Sequence, residues 1–310
     1  MFLARTIEDI LEHIEADTEI IAVLDGTWAD PGIPQHPRVN VIFVPETIGQ
    51  RAATNMAARL ATGRYVAKVD AHCAFDQGFD RKMLEFFQKV GDDVIAVPVM
   101  RNLHAFDWKC YYCGWRGYQG PTPPTCEQCG KDDKIRRRMV WEPREGRRST
   151  SYCFDAEPHF QYNEDYKHRP EYIKDKEDKG YTETMSLQGS FFMATRENYW
   201  KWEINDEKVG NWGNQGIELA CSAWLSGGRV LVNHNTWYAH MFRTQGGDFG
   251  FPWQVSGNDN ARTKKNVKDK FWEMKHPTQI HPVSWLVEKF WPVPGWTDEQ
   301  LQQLKQKVIK

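Results

Sequence analysis

Two cysteine pairs, Cys110-x-x-Cys113-Gly114 and Cys126-x-x-Cys129-Gly130, lie twelve residues apart. Four thiolates at that spacing saturate a tetrahedral zinc ion, and a glycine after each pair lets backbone amides approach the sulfurs. Such a site is structural, because it keeps no position open for substrate. A second constellation, Asp70-Ala71-His72, follows the apolar run Tyr65–Val69. Ligands of open α/β sheets bind at the carboxyl ends of strands, where side chains project past the last ladder hydrogen bond. A hard carboxylate and an imidazole there suit a divalent ion that bridges two phosphates. An isolated Asp-x-His is more often a turn cap beside a surface histidine, so its surroundings decide. The third feature is basic: from Lys131 to Arg148, eight basic residues stand against four acidic ones, including Arg136, Arg137, Arg138, Arg144, Arg147 and Arg148. With Trp115 and Trp141 nearby to stack on bases, the run suits nucleic-acid phosphates; without a partner it is a solvated face.

The elements that must position these groups follow from periodicity. Leu3, Ile7, Ile10, Leu11 and Ile14 fall at helical spacing, Glu19 to Leu24 form a short strand ending in Asp25-Gly26, and Val39–Val44 is a second strand. Gln50–Ala61 is an alanine-rich helix stopped near Gly63, Tyr65–Val69 a strand, Phe79–Val90 a helix and Val94–Val99 a β-branched strand. This alternation is that of a parallel α/β sheet flanked by helices. After Val99 the pattern breaks, and residues 107–150 and 155–183 read as insertion and loop. Regular structure resumes at Ser186–Thr195, with a helix from about Asn214 to Leu225 and a strand from Arg229 to Val232. The expected organisation is a first α/β half over 1–106, a zinc-ribbon and basic insertion over 107–150, a second α/β half over 151–257 and a tail over 258–310.

The 310 residues, 40% hydrophobic and 26% charged, suffice for a substantial core, and a formal net charge of −2 gives no global pull toward polyanions or membranes. No apolar stretch approaches the roughly 18 to 20 residues that span a bilayer, and no basic region with an apolar signal core opens the chain. Cys73, Cys153 and Cys221 stand apart from the two pairs, which suits a reducing compartment better than a disulfide framework. The expectation is a cytosolic protein, of a bacterium or a phage-infected host, without membrane contact.

Gly49-x-Arg51-x-x-x-Asn55, then Gly63-Arg64-Tyr65 ahead of Asp70-Ala71-His72, resembles the core of family 2 and polypeptide GalNAc-transferase-like glycosyltransferases. The resemblance extends to Asp25-Gly26, to Trp212-Gly213-x-x-x-x-Glu218 with Gly227-Gly228, and to His240-Met241-Phe242-Arg243. It covers roughly residues 3–100 and 186–243. It implies a GT-A fold, Rossmann-like with a mostly parallel sheet, and a UDP-sugar donor. It also implies a Mn2+ or Mg2+ site made by Asp70, His72 and His240. Asp25, Arg51, Asp70 and Arg243 would then seat the nucleotide and its phosphates, and Asp70, Gln215 and Glu218 would occupy the catalytic positions.

Two departures stand out. Where the family has Trp-Gly-Gly-Glu, this chain has Trp212-Gly213-Asn214-Gln215, and an amide cannot act as a general base. The chain also opens at the first helix, where the family has a strand; two neighbouring strands are then expected to keep unpaired edges unless the gap is bridged. The functional expectation is sugar transfer from a UDP-sugar to a hydroxyl acceptor. A cytosolic enzyme with a zinc ribbon and an arginine run points to a hydroxymethylated base in DNA. The alternatives are a cytosolic protein or polysaccharide acceptor, or a non-catalytic protein that binds a nucleotide or nucleic acid.

Overall fold

The structure, a computed structural model, describes residues 2–242 and 257–308. Helix α1 (Phe2–His13) buries Ala4, Ile7 and Ile10, and β1 (Ile20–Asp25) pairs in parallel with β2 (Val39–Val44). Helix α2 (Gln50–Leu60) follows Gly49, whose φ of 90° and close approach to Asn211 exclude a side chain: a Cβ there would lie 2.8 Å from Asn211 Cβ. Then come β3 (Tyr65–Val69), β4 (Cys73–Phe75), α3 (Phe79–Val90) and β5 (Val94–Cys110). Next are β6 (Arg116–Tyr118), β7 (Ile135–Ser149), β8 (Tyr152–Phe154) and β9 (Phe160–Tyr162). The chain continues through α4 (Pro170–Lys179), β10 (Tyr181–Glu183), β11 (Phe191–Thr195), α5 (Arg196–Lys201), α6 (Gln215–Leu225) and β12 (Arg229–His240). It ends in α7 (Gly257–Phe271), α8 (Val283–Lys289) and α9 (Asp298–Val308).

The main sheet has the order β10-β12-β5-β11-β3, with β4 added to β12 and both β6 and β7 added to β5. It is more mixed than the sequence suggests: β5 and β12 run parallel, whereas β11 is antiparallel to β3 and β5, and β10 and β4 are antiparallel to β12. Helix α6 is buried at every position, as its apolar circumference requires, and packs against the sheet and against α7 and α8. The described part of the expected tail, residues 258–308, is therefore packed: Val267, Phe271, Leu286, Val287, Phe290, Leu301 and Leu304 share one core with Ile217 and Trp224.

The insertion is likewise more regular than expected. Strand β5 does not stop at Val99 but runs on to Cys110, and β7 pairs with it antiparallel from Ser149 opposite Met100 to Ile135 opposite Cys110. At strand rise this two-stranded arm extends roughly 50 Å including its root in the sheet. Its underside is apolar, with Leu103, Phe106, Trp108 and Ile135 buried together. Among the described residues β1 pairs only with β2 and β3 only with β11, so the two sheets stand apart. Between them lies a cavity of about 1510 Å³, lined by β1, by β3, by Ala53, Ala57 and Ala58 of α2, and by Phe79 and Met83 of α3.

Candidate active site

Strand β3 delivers Asp70 and His72 just past its end, where the Asp70 amide donates to the Ser190 carbonyl over 2.9 Å. Strand β12 arrives from the other direction: His240 pairs with Cys73 of β4, and the Met241 amide donates to the His72 carbonyl. Backbone pairing thus sets the rings of His72 and His240 4.7 Å apart at their centroids, although 168 positions separate them. Asp70 Oδ2 lies 3.4 Å from His240 Nε2 and 3.9 Å from His72 Nε2, and one ligand atom from each of the three residues falls within 4.8 Å of the others.

The fit to a divalent cation rests on His240. This imidazole is 8% exposed, and among the described residues neither ring nitrogen makes a hydrogen bond, Nε2 only approaching Asp70 Oδ2 as an ion-pair contact at 3.4 Å. A buried imidazole without hydrogen bonds is costly unless something else uses its lone pair, and a metal ion does so. Lys68, which the sequence reading passed over, also belongs here. Its ammonium contacts Asp70 Oδ1 and donates to the Gly189 carbonyl over 2.6 Å, leaving Oδ2 to face the histidines. Burial opposes ionisation of Asp70, but Lys68, with His240 and His72, more than offsets it and holds the carboxyl well below its ordinary range. A lysine on the inward face of an otherwise apolar strand was the available signal.

Asp25, at the end of β1, accepts the amides of Ile48 at 2.7 Å and Gly49 at 2.9 Å and so shapes the loop into α2. Asp25, Asp70, His72, Trp28 and Trp212 all line the cavity between the two sheets. Arg51 and Glu218 do not, and this corrects their expected roles as phosphate ligand and catalytic carboxylate. Arg51 is 1% exposed and donates from Nε to Glu218, from Nη1 to the Gly210 carbonyl and from Nη2 to the Gly213 carbonyl. Glu218, fully buried, accepts a further bond from the Asp206 amide, so both side chains are held within the protein, away from the cavity. One turn along α2, Asn55 donates to the Asn205 carbonyl and to Glu207. The Arg51-x-x-x-Asn55 spacing therefore clamps the 205–213 loop and with it Trp212. Gln215 is also buried and its amide donates to Asn205. Arg243 lies outside the described residues.

The four arm cysteines converge. Cys110 and Cys129 sulfurs are 3.8 Å apart, Cys113 and Cys126 3.5 Å, and all four lie within 4.8 Å of one another. The edge of a tetrahedron with metal–sulfur bonds of about 2.3 Å is roughly 3.8 Å. Gly114 and Gly130 take φ of 84° and 72°, closing each turn with a bond back to the carbonyl of Cys110 or Cys126. The amide of Cys113, aided by that of Tyr112, draws the Cys110 thiol down to about 7. The arginine run is not one cluster: Arg136 and Arg138 are exposed, whereas Arg137, between them, turns under the arm onto the Phe106 and Trp108 rings. Trp141 is no stacking platform either, being 9% exposed and donating its indole N–H to Asp9.

Residues 2–118 match glycosyl transferase family 2. The chain is 24% identical to "Putative polypeptide N-acetylgalactosaminyltransferase 13" of Drosophila melanogaster, covering 92% of this chain and 46% of that protein. "Polypeptide N-acetylgalactosaminyltransferase 3" of the same organism is 23% identical over 137 residues, 35% of this chain and 20% of its own length. The chain thus spans less than half the length of these relatives. A solved structure of GalNAc-T7 with UDP, GalNAc and Mn2+ superposes with a TM-score of 0.62 at 15% identity, covering 99% of this chain and 51% of that one. No described helix is long and apolar enough to cross a membrane. Residues 2–118 thus carry the glycosyl transferase family 2 match, and the chain as a whole has the GT-A fold of the superposed structure.

Proposed function

We propose that the chain transfers a sugar from a UDP-sugar to a hydroxyl acceptor, with Asp70, His72 and His240 holding a Mn2+ or Mg2+ ion. The observation that carries this reading is the buried imidazole of His240, which among the described residues makes no hydrogen bond, set beside Asp70 and His72. A divalent ion held there neutralises diphosphate charge as the glycosidic bond to it breaks. Asp70 offers Oδ2 because Lys68 occupies Oδ1, and Asp25 holds the wall of the cavity in which the nucleotide would lie. Trp212 on that wall, carried by the loop that Arg51 clamps, gives the sugar or base a flat apolar surface. Gln215 and Glu218 would act through the fold: the first is an amide, and the second is consumed by Arg51, so neither takes the acceptor's proton.

For the acceptor we favour a hydroxymethylated base in DNA, supported by the basic arm held by the cysteine cluster, with a protein or polysaccharide hydroxyl as the competing choice. A cytosolic setting suits seven cysteines that are all free thiols. The Arg51–Glu218 lock and Gln215 also suit a protein that binds a nucleotide without turnover. Hydrolysis of UDP-sugars and transfer of labelled sugar to hydroxymethylcytosine DNA, hydroxymethyluracil DNA and peptides, each with Mn2+ or with EDTA, separate these readings. Metal-dependent transfer to DNA supports the proposal in full. Metal-dependent transfer to peptide alone replaces the acceptor, and no turnover with any donor sinks it.

A further inference from the structure

Near its tip the arm becomes three-stranded, with β6 on one side of β5 and β7 on the other. Residues directly across from one another in an antiparallel pair project from the same face. Lys109 stands opposite Arg116 on one side and Arg136 on the other, which lines up three cations across the sheet. One step along, Asp107 stands between Tyr118 and Arg138 on that same face. Past the adjoining bulge the face continues: the His104 ring lies against Tyr118, tilted by 45° with centroids 4.7 Å apart, and the Arg144 guanidinium lies 5.1 Å over the Tyr118 ring. The intervening residues Phe106, Trp108 and Cys110 point to the buried underside. The arm is therefore two-sided, apolar beneath and basic above.

Like charges directly opposite each other in a sheet are destabilising. A row of Arg116, Lys109 and Arg136 is thus held at a cost that an anionic partner would remove. Among the described residues the carboxylates sharing this face do not relieve it: Asp107 is bound to His104 Nε2 at 2.7 Å, and Glu142 stands across from His104, further down the arm. Arg116, Arg136, Arg138 and Arg144 are exposed. Tyr118 is 53% exposed, and Tyr111, with Lys109 Nζ 4.7 Å over its ring, is 58% exposed. Cations side by side at the strand separation of about 4.8 Å, with exposed aromatic rings between them that can pack on sugar, suit a polyanion with closely spaced phosphates such as a nucleic-acid duplex.

We propose that this outward face, formed by Lys109, Arg116, Arg136, Arg138, Arg144 and Tyr118, is a docking surface for duplex DNA, engaged through its phosphates. The inference deepens the acceptor part of the proposed function, but it concerns binding and can be tested without turnover. The rigid cysteine cluster then serves to keep β6 in register, because without it the short strand and its Arg116 would not be fixed beside Lys109.

The test is fluorescence anisotropy of a labelled duplex of about 20 base pairs, over a series of salt concentrations, with the full chain. Wild type is expected to bind with strong salt dependence. The Arg116→Gln, Arg136→Gln, Arg138→Gln triple variant is expected to lose at least tenfold in affinity at low salt, with a salt slope shallower by about three. Zinc content and UDP affinity of the variant should equal wild type, showing that the arm and cavity are intact. Lys174→Gln, an exposed lysine on α4, serves as a charge control and should leave binding unchanged. The inference is overturned if wild type binds no duplex, if the triple variant keeps its affinity and slope, or if an acidic polypeptide displaces the duplex at equal charge. Duplex binding without sugar transfer to DNA would instead keep the docking face and remove the acceptor reading.

Discussion

Arg51 donates from Nε to Glu218 Oε2 over 2.8 Å with both side chains essentially inaccessible to water. The pair joins α2 to α6 beneath the loop that carries Trp212, and burial pushes the Glu218 carboxyl up against the pull of Arg51. Arg51→Met strands a buried carboxylate and should cost about 3–5 kcal/mol at neutral pH. The sign of the pH effect follows: a folded-state pKa raised above the unfolded value of about 4.3 means stability present below that value and lost as pH rises. The deficit of Arg51→Met in urea unfolding should therefore be smaller at pH 5 than at pH 7. Equal deficits at both, or an unaltered stability with lost activity, would return the pair to the reaction itself.

His240→Ala is expected to abolish Mn2+ binding measured by calorimetry, a loss exceeding the roughly 10–100-fold typical of an outer-shell partner. Metal-free stability should change by no more than about 1–3 kcal/mol, because relief of the unsatisfied imidazole is offset by loss of its 3.4 Å contact with Asp70. Lys68→Met should keep the metal but loosen its geometry, since Asp70 Oδ1 is then free to rotate toward it. Undiminished Mn2+ affinity in His240→Ala would place the ion elsewhere.

What the sequence made legible was local. Asp70-x-His72 could be placed because a short β-branched strand ends just before it, and the cysteine pairs because their spacing alone defines a ligand set. The length of β12 could not be read: Asn233, His234 and Asn235 interrupt the apolar run, yet the strand resumes after an irregularity between Asn233 and Trp237 and so brings His240 to Asp70. Strand β5 runs past its expected end for the same reason, its polar Arg101 and Asn102 being paired with β7 rather than marking a strand end. Arg51 and Glu218 carry no sequence signal of their partnership, because 167 positions separate them and only the packing of α2 on the 205–213 loop brings them into contact.

The cysteine cluster should hold about one zinc ion per chain in elemental analysis of freshly purified protein. Cys126→Ser, or a strong chelator, should release it and open the turns at Cys110–Gly114 and Cys126–Gly130 to limited proteolysis. The core that contains α6 should keep its unfolding midpoint, since the cluster lies in a separate group of buried residues. Absence of zinc, or global unfolding on its removal, would contradict this division.

His234 and His276 give the fold an acid-sensitive window. Burial, with Lys176 near His234 and Lys270 near His276, lowers both to about 4. A depressed histidine contributes stability that is present above the unfolded pKa of about 6.5 and lost as pH falls toward the folded value. Unfolding free energy should fall between about pH 6.5 and 4, with a slope approaching two protons. His276→Gln should flatten that slope by about one proton, whatever it does to stability at pH 7. A slope unchanged in this variant would assign the acid sensitivity to other groups.

The open edges of β1 and β3 lead to a prediction about exchange. Each strand pairs on one side only among the described residues, and the cavity of about 1510 Å³ separates their other edges. Alternate amides of a strand point to opposite edges, so half the amides of Ile20–Asp25 and Tyr65–Val69 lack a strand partner. β5 and β12, in the sheet interior, have partners on both sides. Hydrogen exchange should therefore be fast at alternate positions of β1 and β3 and slow throughout residues 94–99 and 229–232, where opening requires global unfolding. UDP with Mn2+ should protect the carboxyl ends of β1 and β3, near Asp25 and Asp70, more than their amino ends, because the residues that would hold the nucleotide lie there. Uniform slow exchange across both strands in the free protein would mean that something already pairs with these edges, and protection by UDP confined to the arm would move the nucleotide site away from the cavity.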